Sequence, residues 1–250
     1  MIDIANQSTA TPARAQDIAE HLRDEILLGQ YRQGERLPSE RDLAARFQVN
    51  RGAIREAIKI LAQLGIVKVQ PGGVRILGIH DASLDVLGPL LDLGDRGPEN
   101  LTSVLISVFG ALLALSARLA LQTASKAQEQ RLLEILTESP SAGDLPNDNN
   151  AAEREKLAQF AEALTDINNN LVLRLIGNGL RTQMVGRLER RHPSATSNEE
   201  FFRAMALPIQ RSDANGLAKT IIQRFDDIKL NLDATTIPTP TEFNRNPNHA

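Results

Sequence analysis

Residues Leu37–Gly73 read LPSERDLAARFQVNRGAIREAIKILAQLGIVKVQPGG, and the fold turns on the segment Val49–Lys59, VNRGAIREAIK. Spacings of four set Arg51, Arg55 and Lys59 one above another on a single helical face. Ile54, Ile58 and Leu61, at i, i+4 and i+7, line another face, which Ala57 and Leu64 widen. A helix of this kind is held to a core by one side and offers cations on the other. It is suited to lie against an anion.

The flanking residues complete a motif. Ala15, Ile18, Ala19, Leu22 and Ile26 repeat at helical spacing between Ala13 and Gly29. Ser39 with Asp42 three residues on predicts a capped start for a short helix carrying Leu43 and Phe47. Asn50 is the cap of the next helix, which ends near Gly65. IVKVQ and VRIL are β-type runs separated by Pro71, Gly72 and Gly73, the pattern of a hairpin. Two helices joined by a tight turn and followed by a hairpin form a winged helix-turn-helix, whose second helix enters the DNA major groove by its N-terminal end. Here that end carries Asn50, Arg51, Gly52, Ala53 and Arg55, with Lys59 a turn further on. Arginine suits bidentate capture of guanine O6 and N7, and free N–H groups at the helix start suit phosphate. Arg41, in the first turn of the preceding helix, is placed for a phosphate or a base edge. Gly72 and Gly73 let the wing backbone approach a duplex closely. A plain three-helix domain with a solvated basic face accounts for the charges, but not for the caps and hairpin as well.

The chain has 250 residues, enough for two domains, with 42% hydrophobic and 24% charged residues and no cysteine. That composition fits a soluble protein of a reducing cytoplasm, with neither disulfides nor thiolate metal sites. MIDIANQSTATPARA lacks the basic and apolar regions of a secretory signal. The net charge of −3 divides unevenly: through Leu77 there are eleven Lys and Arg against nine Asp and Glu, and beyond it 17 against 22. Such numbers support a local basic patch rather than a basic protein.

After GIHDAS, read as a linker over 78–83, every strong pattern is helical. Helices are predicted over Leu84–Leu93, Asn100–Thr123, Ser125–Glu138, Ala151–Asp166, Asn170–Arg191, Asn198–Arg211 and Asp213–Leu232, with a polar loop SPSAGDLPNDNN between the third and fourth. The proline-punctuated tail from 233 to 250 predicts no structure. The uncharged stretch Asn100–Ala117 has nearly the length of a membrane span, which takes ~20 apolar residues. Its Ser, Thr and Gly content and the lack of a second such stretch point instead to the central helix of a bundle. The expected fold is therefore mainly α: a winged helix over 13–77, and an all-helical bundle of about seven helices over 84–232 for effector binding and dimerisation.

LPSERDLAARFQVNRGAIREAIKILAQLGIV resembles the DNA-binding domain of the GntR family of bacterial transcription regulators. That family shows L-P-S-E-R-x-L-A, a V-S/T-R-x-x-x-R-E-A run, L-x-x-x-G and a glycine-containing wing; the match covers Ala13–Leu77. The resemblance implies that Arg41, Arg51 and Arg55 stand at the family's DNA-contacting arginine positions, with Asn50 and Gly72 beside them. This chain departs at Gly52 and Ala53, where many members have hydroxyl residues, and at Val74, where a second wing glycine is common.

The helical remainder is similar to the C-terminal domain of the FadR subfamily through LISVFGALLALSARLA and NNNLVLRLIGNGLRTQMVGRL. Many members hold a metal there through an Asp, a His four residues later and two further histidines. With Phe160 on the usual Phe of the Phe-His pair, those four positions fall on Leu157, Ala161, Phe202 and Arg224, none of which is a typical metal ligand. His21, His80, His192 and His249 are scattered and make no site. The resemblance thus leans toward the metal-free, fatty-acid-responsive branch, whose effectors are long-chain acyl thioesters. Phe109, Leu112, Leu113, Phe201, Phe202 and Met205 are candidates for an apolar cavity, and Arg118, Arg174, Asn178, Arg181 and Arg224 for its polar contacts. The alternative is that the apolar set is bundle core and the polar set a solvated or dimer-facing stripe.

No G-x-S-x-G elbow, phosphate loop or cysteine nucleophile suggests an enzyme. The expectation is a cytoplasmic, cofactor-free regulator, a repressor, that binds a two-fold-related operator as a homodimer and answers a small organic effector such as an acyl-CoA. Its competitors are a helical protein–protein adaptor and a regulator of the same family that senses a small organic acid.

Overall fold

A computed structural model of the chain describes residues 10–137, 149–184 and 199–236. Among these, residues 10–99 group with 178–184 in one compact unit and 100–177 with 199–236 in a second.

The first unit opens with α1 (Ala10–Leu27), α2 (Glu40–Phe47), α3 (Arg51–Gln63) and a hairpin of β1 (Val67–Gln70) and β2 (Gly73–Ile76). Ala15, Ile18, Ala19, Leu22 and Ile26 of α1 are buried, as are Ala53, Ile54, Ala57, Ile58 and Leu61 of α3, and the two helices pack together. Both predicted caps form. Ser39 Oγ accepts a hydrogen bond from Asp42 N at 3.2 Å, and Asn50 Oδ1 accepts one from Ala53 N at 2.9 Å. The strands are antiparallel with Val67 opposite Ile76 and Gln70 opposite Gly73. Pro71 and Gly72 make the two-residue turn, where Gly72 has φ +94°, the left-handed geometry that favours glycine.

An ion pair between an exposed arginine and a buried acid ties α1 to α2. Glu25 is only 8% exposed, and Arg46 reaches it with both terminal nitrogens, one of them 3.0 Å from Oε2. Those hydrogen bonds hold the Glu25 carboxyl below the ordinary carboxylate range against the opposing effect of burial. Arg46 also lies 4.9 Å from the Phe47 ring centre, and the His21 ring meets Phe47 edge-on at 5.6 Å.

Two segments differ from their sequence patterns. Residues 78–83, expected as a linker, form a 3-10 turn at Ile79–Asp81 that docks on the end of α3. Ser83 N donates to Leu64 O at 2.8 Å, and a Cβ on Gly65 (φ +73°) would lie 2.9 Å from Asp81 O. The expected helix over 84–93 is a 3-10 turn at Leu84–Val86 followed by α4 (Leu87–Asp92), with another 3-10 turn just beyond it at Gly94–Arg96. Pro89 has no N–H to donate and is tolerated only in a first turn, so the α-helix cannot start much before Leu87.

The second unit contains α5 (Leu101–Thr123), α6 (Lys126–Thr137), α7 (Asn149–Asn168), α9 (Glu199–Gln210) and α10 (Ala214–Thr236); α8 (Leu171–Met184) begins in it. α5 is long and apolar enough to cross a membrane, but half of its apolar window is buried against other helices. It packs on α10 and α7, while α9 packs on α6 and α10. α10 runs to Thr236, four residues past the expected end at Leu232. The predicted loop from 139 to 148, the end of the Asn170–Arg191 helix from 185 onward, His192, His249 and the tail from 237 lie outside the described residues. A charged cluster staples one end of the bundle. Buried Glu129 of α6 accepts from Lys126 Nζ and from Ser212 Oγ, each at 2.7 Å, and Ser212 sits in the α9–α10 turn.

Gly110 lets Phe225 of α10 pack directly against α5, because a Cβ there would lie 2.5 Å from Cβ and Cγ of Phe225. Gly110→Ala should destabilise the second unit by about 1–3 kcal/mol despite alanine's better helix propensity, read as a lower midpoint in urea. Glu25→Gln should cost the first unit about 1–3 kcal/mol at neutral pH, since a charged hydrogen-bond partner is lost from a buried site. The wild-type contribution is present above the ordinary carboxylate pKa and fades as pH falls through the lowered folded value. The gap between the two proteins' melting temperatures should therefore close in acid.

Candidate nucleic-acid interface

α3 is positioned by its buried face, so its opposite side is free of packing duties. Arg51, Gly52, Arg55 and Lys59 are all exposed there, as is Asn50 at the start. Ala53 is turned into the core at 2% exposure, which removes it from any contact surface. The Asn50 carbonyl oxygen is committed to its cap, leaving the side-chain amide as the group that faces outward. Gly52 keeps that cap open, because a Cβ at 52 would lie 3.1 Å from Asn50 Oδ1.

The cations differ in how they are held. Arg55 Nε donates to Glu40 Oε2 of α2 at 2.8 Å, and Lys59 Nζ to Glu56 Oε1 at 2.7 Å. Arg41, 76% exposed, makes a longer contact of 3.5 Å to its neighbour Asp42. Arg51 has no ion pair among the described residues. Asp42 and Glu56 are exposed and Glu40 is half-buried, and pairs this open to water contribute only ~0–1 kcal/mol. A phosphate can therefore displace them at little cost. Arg46, which belongs to the same basic run in sequence, is held in the Glu25 pair and is not part of this face.

The wing is a wider structure than two strands. Gly34 N donates to Ile76 O at 2.9 Å, Ile76 N to Glu35 O at 3.0 Å and Leu37 N to Val74 O at 3.0 Å, so residues 34–37 run along the free edge of β2. Arg36 and Arg75 form the bridge pair, and Arg75 Nη1 donates to Gly34 O at 2.7 Å. Lys68 stands opposite Arg75 and both are exposed. Lys68 and Arg75 did not stand out in the sequence, and Arg36 did so only as one cation of the basic run from Arg36 to Lys59. Arg36 comes within reach of Gly72 only through the edge pairing, which no local pattern announces.

In the helical unit the expected ligand residues fall into separate places. Phe109 meets Phe225 at 5.8 Å between ring centres, and Phe201 meets Phe202 at 5.9 Å. Arg224 lies 6.0 Å from the Phe201 ring centre, and Lys156 Nζ 5.1 Å from that of Phe202. Leu113, Phe202 and Met205 are core residues. Arg118 is exposed, Arg174 pairs with Asp166 at 2.5 Å, and Asn178 and Arg181 group with the first compact unit. The structure thus sets Arg224 beside Phe201, while Phe109 pairs with Phe225 instead. At the four positions of the expected metal set, Phe202 is core and Leu157 and Ala161 are half-buried on α7. Among the described residues no three His, Asp or Glu side chains converge. A cleft of about 500 Å³, lined in part by Gln128, Arg131, Gln159, Glu162 and Asp166, runs between α6 and α7.

Residues 14–75 match the model for bacterial regulatory proteins of the gntR family. The chain is 31% identical over 209 residues to the HTH-type transcriptional regulator Mce2R of Mycobacterium tuberculosis, covering 82% of this chain and 85% of that one. It is 29% identical over 147 residues to the Uxu operon transcriptional regulator of Escherichia coli, covering 55% and 57% of the two chains. In fold it is similar to a solved structure of Lar, which controls expression of the Listeria monocytogenes agr system, with a TM-score of 0.52, 17% identity and coverage of 92% and 99%. The chain belongs to the GntR family: it is a transcription regulator with that family's DNA-binding domain, not an enzyme.

Proposed function

We propose that this regulator is a cytoplasmic repressor of the FadR type, which binds a two-fold-related operator as a homodimer and releases it on binding a small organic effector. The observation that carries the DNA part is the exposed face of Arg51, Arg55 and Lys59 on a helix whose other side is locked in the core. In this reading Arg51, Arg55 and the Asn50 amide read base edges. Arg41 and Lys59 hold phosphates, and Gly72 and Gly73 bring the wing backbone to the duplex.

A second copy is suggested by α5. Val104, Val108, Ala111, Leu115, Arg118 and Gln122 repeat with heptad spacing and are all exposed, Val104 by 52% and Val108 by 45%. An exposed apolar stripe of that period is the seam along which two like helices pack. It also gives Arg118 a place at an interface rather than in a ligand cavity.

For the effector, the loss of metal ligands at Leu157, Ala161, Phe202 and Arg224 favours an organic molecule with an apolar chain, such as a long-chain acyl thioester. It would insert among Phe109, Leu113 and Phe202, with Arg224 for its anionic end. The polar cleft between α6 and α7 favours a second reading, a small organic acid bound at Arg131. Either ligand releases DNA only if it prefers the conformation that binds DNA poorly.

On a duplex selected by the full chain from a random library, Arg51→Ala and Arg55→Ala should each weaken binding by about 1–3 kcal/mol while the melting temperature holds. Wild-type affinity in both, by fluorescence anisotropy, would remove α3 from the groove. Long-chain acyl-CoA should lower the affinity for that duplex and raise the melting temperature. If a small hydroxy acid alone does so, and Arg131→Ala abolishes the response, the effector belongs in the α6–α7 cleft. Val108→Glu should shift the chain from dimer to monomer in sedimentation; an unchanged dimer would place the seam elsewhere.

A further inference from the structure

The wing tip has no side chain able to hydrogen-bond to a base: Pro71, Gly72 and Gly73 supply a ring and bare backbone. Its cation comes from elsewhere in the chain. A Cβ on Gly72 would lie 2.6 Å from Nη2 of Arg36, so the guanidinium of Arg36 occupies the space that a side chain at the tip would fill. The backbone that bears it is fixed on both sides, by Ile76 N donating to Glu35 O and Leu37 N donating to Val74 O, each at 3.0 Å. The adjacent acid does not neutralise it, because Glu35 Oε2 accepts from Arg32 N at 2.8 Å. Arg75 is turned away to Gly34 O, and Arg36 itself is exposed with no ion pair among the described residues.

We propose that Arg36 is a base-composition-reading residue: the wing tip enters the DNA minor groove with the Arg36 guanidinium beside it, and the protein thereby prefers A·T pairs where the wing lands. This rests on the DNA-binding reading above, in which α3 takes the major groove. A tip made of glycine backbone suits a groove ~6 Å wide, half the width of the major groove that admits a helix. A·T-rich minor grooves are narrower still and carry a deeper negative potential, which draws an arginine more strongly than a lysine because its guanidinium loses its water more readily. The guanine 2-amino group adds a steric and donor clash for a cation that can only donate. The discrimination is thus set by minor-groove width and by one amino group, independently of the major-groove bases under α3.

The test uses the full chain and the duplex it selects, with the pairs outside the selected core set to A·T, to G·C, or to inosine·C. Inosine·C keeps the minor groove free of the amino group while resembling G·C in the major groove. Wild type should bind the A·T and inosine·C duplexes about equally and the G·C duplex roughly fivefold to tenfold more weakly. Arg36→Ala should bind all three alike, with an unchanged melting temperature because Arg36 is exposed and its backbone pairing survives. Arg51→Ala should lose affinity for the core while keeping the flank preference, which separates failure of this proposal from failure of the α3 reading. A wild type indifferent to the flanks, or an Arg36→Ala variant that keeps the preference, overturns the proposal.

Discussion

The burial of one side of α3 is the constraint on which the rest of the DNA-binding unit depends. Ile54, Ile58 and Leu61 are essentially inaccessible, and each such side chain contributes about 1.5–3 kcal/mol when removed from water. The exposed ion pairs on the opposite side contribute at most ~1 kcal/mol each. Position is therefore decided by the apolar face and not by the charges. The cations are carried where the core puts them, and their partners can be exchanged for phosphate without loosening the helix. The caps at Ser39 and Asn50 sharpen this by fixing where the helices begin, and hence which residues point outward.

Burial also sorts cations that look alike in sequence. Arg46 and Arg51 are five residues apart in one basic run. Yet Arg46 meets a carboxylate that is almost wholly buried, and Arg51 meets none among the described residues. Removing Arg46 would leave the buried Glu25 charge without its main partner, which costs more than breaking an exposed pair. Arg46 is for that reason a fixture of the fold, whereas Arg41, Arg51, Arg55 and Lys59 remain available. A count of lysines and arginines cannot make that distinction, because the acid that matters, Glu25, lies on a different helix.

What was legible in the sequence was what short-range rules govern. The caps, the Pro-Gly turn of the wing and the periodicity of the long helices are local, and the structure has them in place with boundaries moved by a few residues. Family likeness added the identity of the DNA-binding domain. The failures are of another kind. GIHDAS has the composition of a tether, and nothing local says that its 3-10 turn packs on Gly65. Pro89 could have warned that the helix over 84–93 would be broken. Pairings across the bundle, such as Phe109 with Phe225 or Glu129 with Ser212, are set by helix packing and have no signature in spacing. For the same reason a polar residue on an apolar helix, such as Arg118, cannot be assigned to cavity or surface from the sequence.

The docked segment after the wing bears on where the chain can bend. A hinge between Gly78 and Ser83 would have to break the hydrogen bond from Ser83 to Leu64 and uncover Gly65, whose missing Cβ is what lets Asp81 and Ala82 sit against it. Any side chain at 65 would force that contact apart. The turn at 79–81 is thereby fixed to the end of α3. A bend past Ser83 would leave both of those contacts intact; further along, Asn100 holds a left-handed φ of +59° as it starts α5 without a side-chain cap.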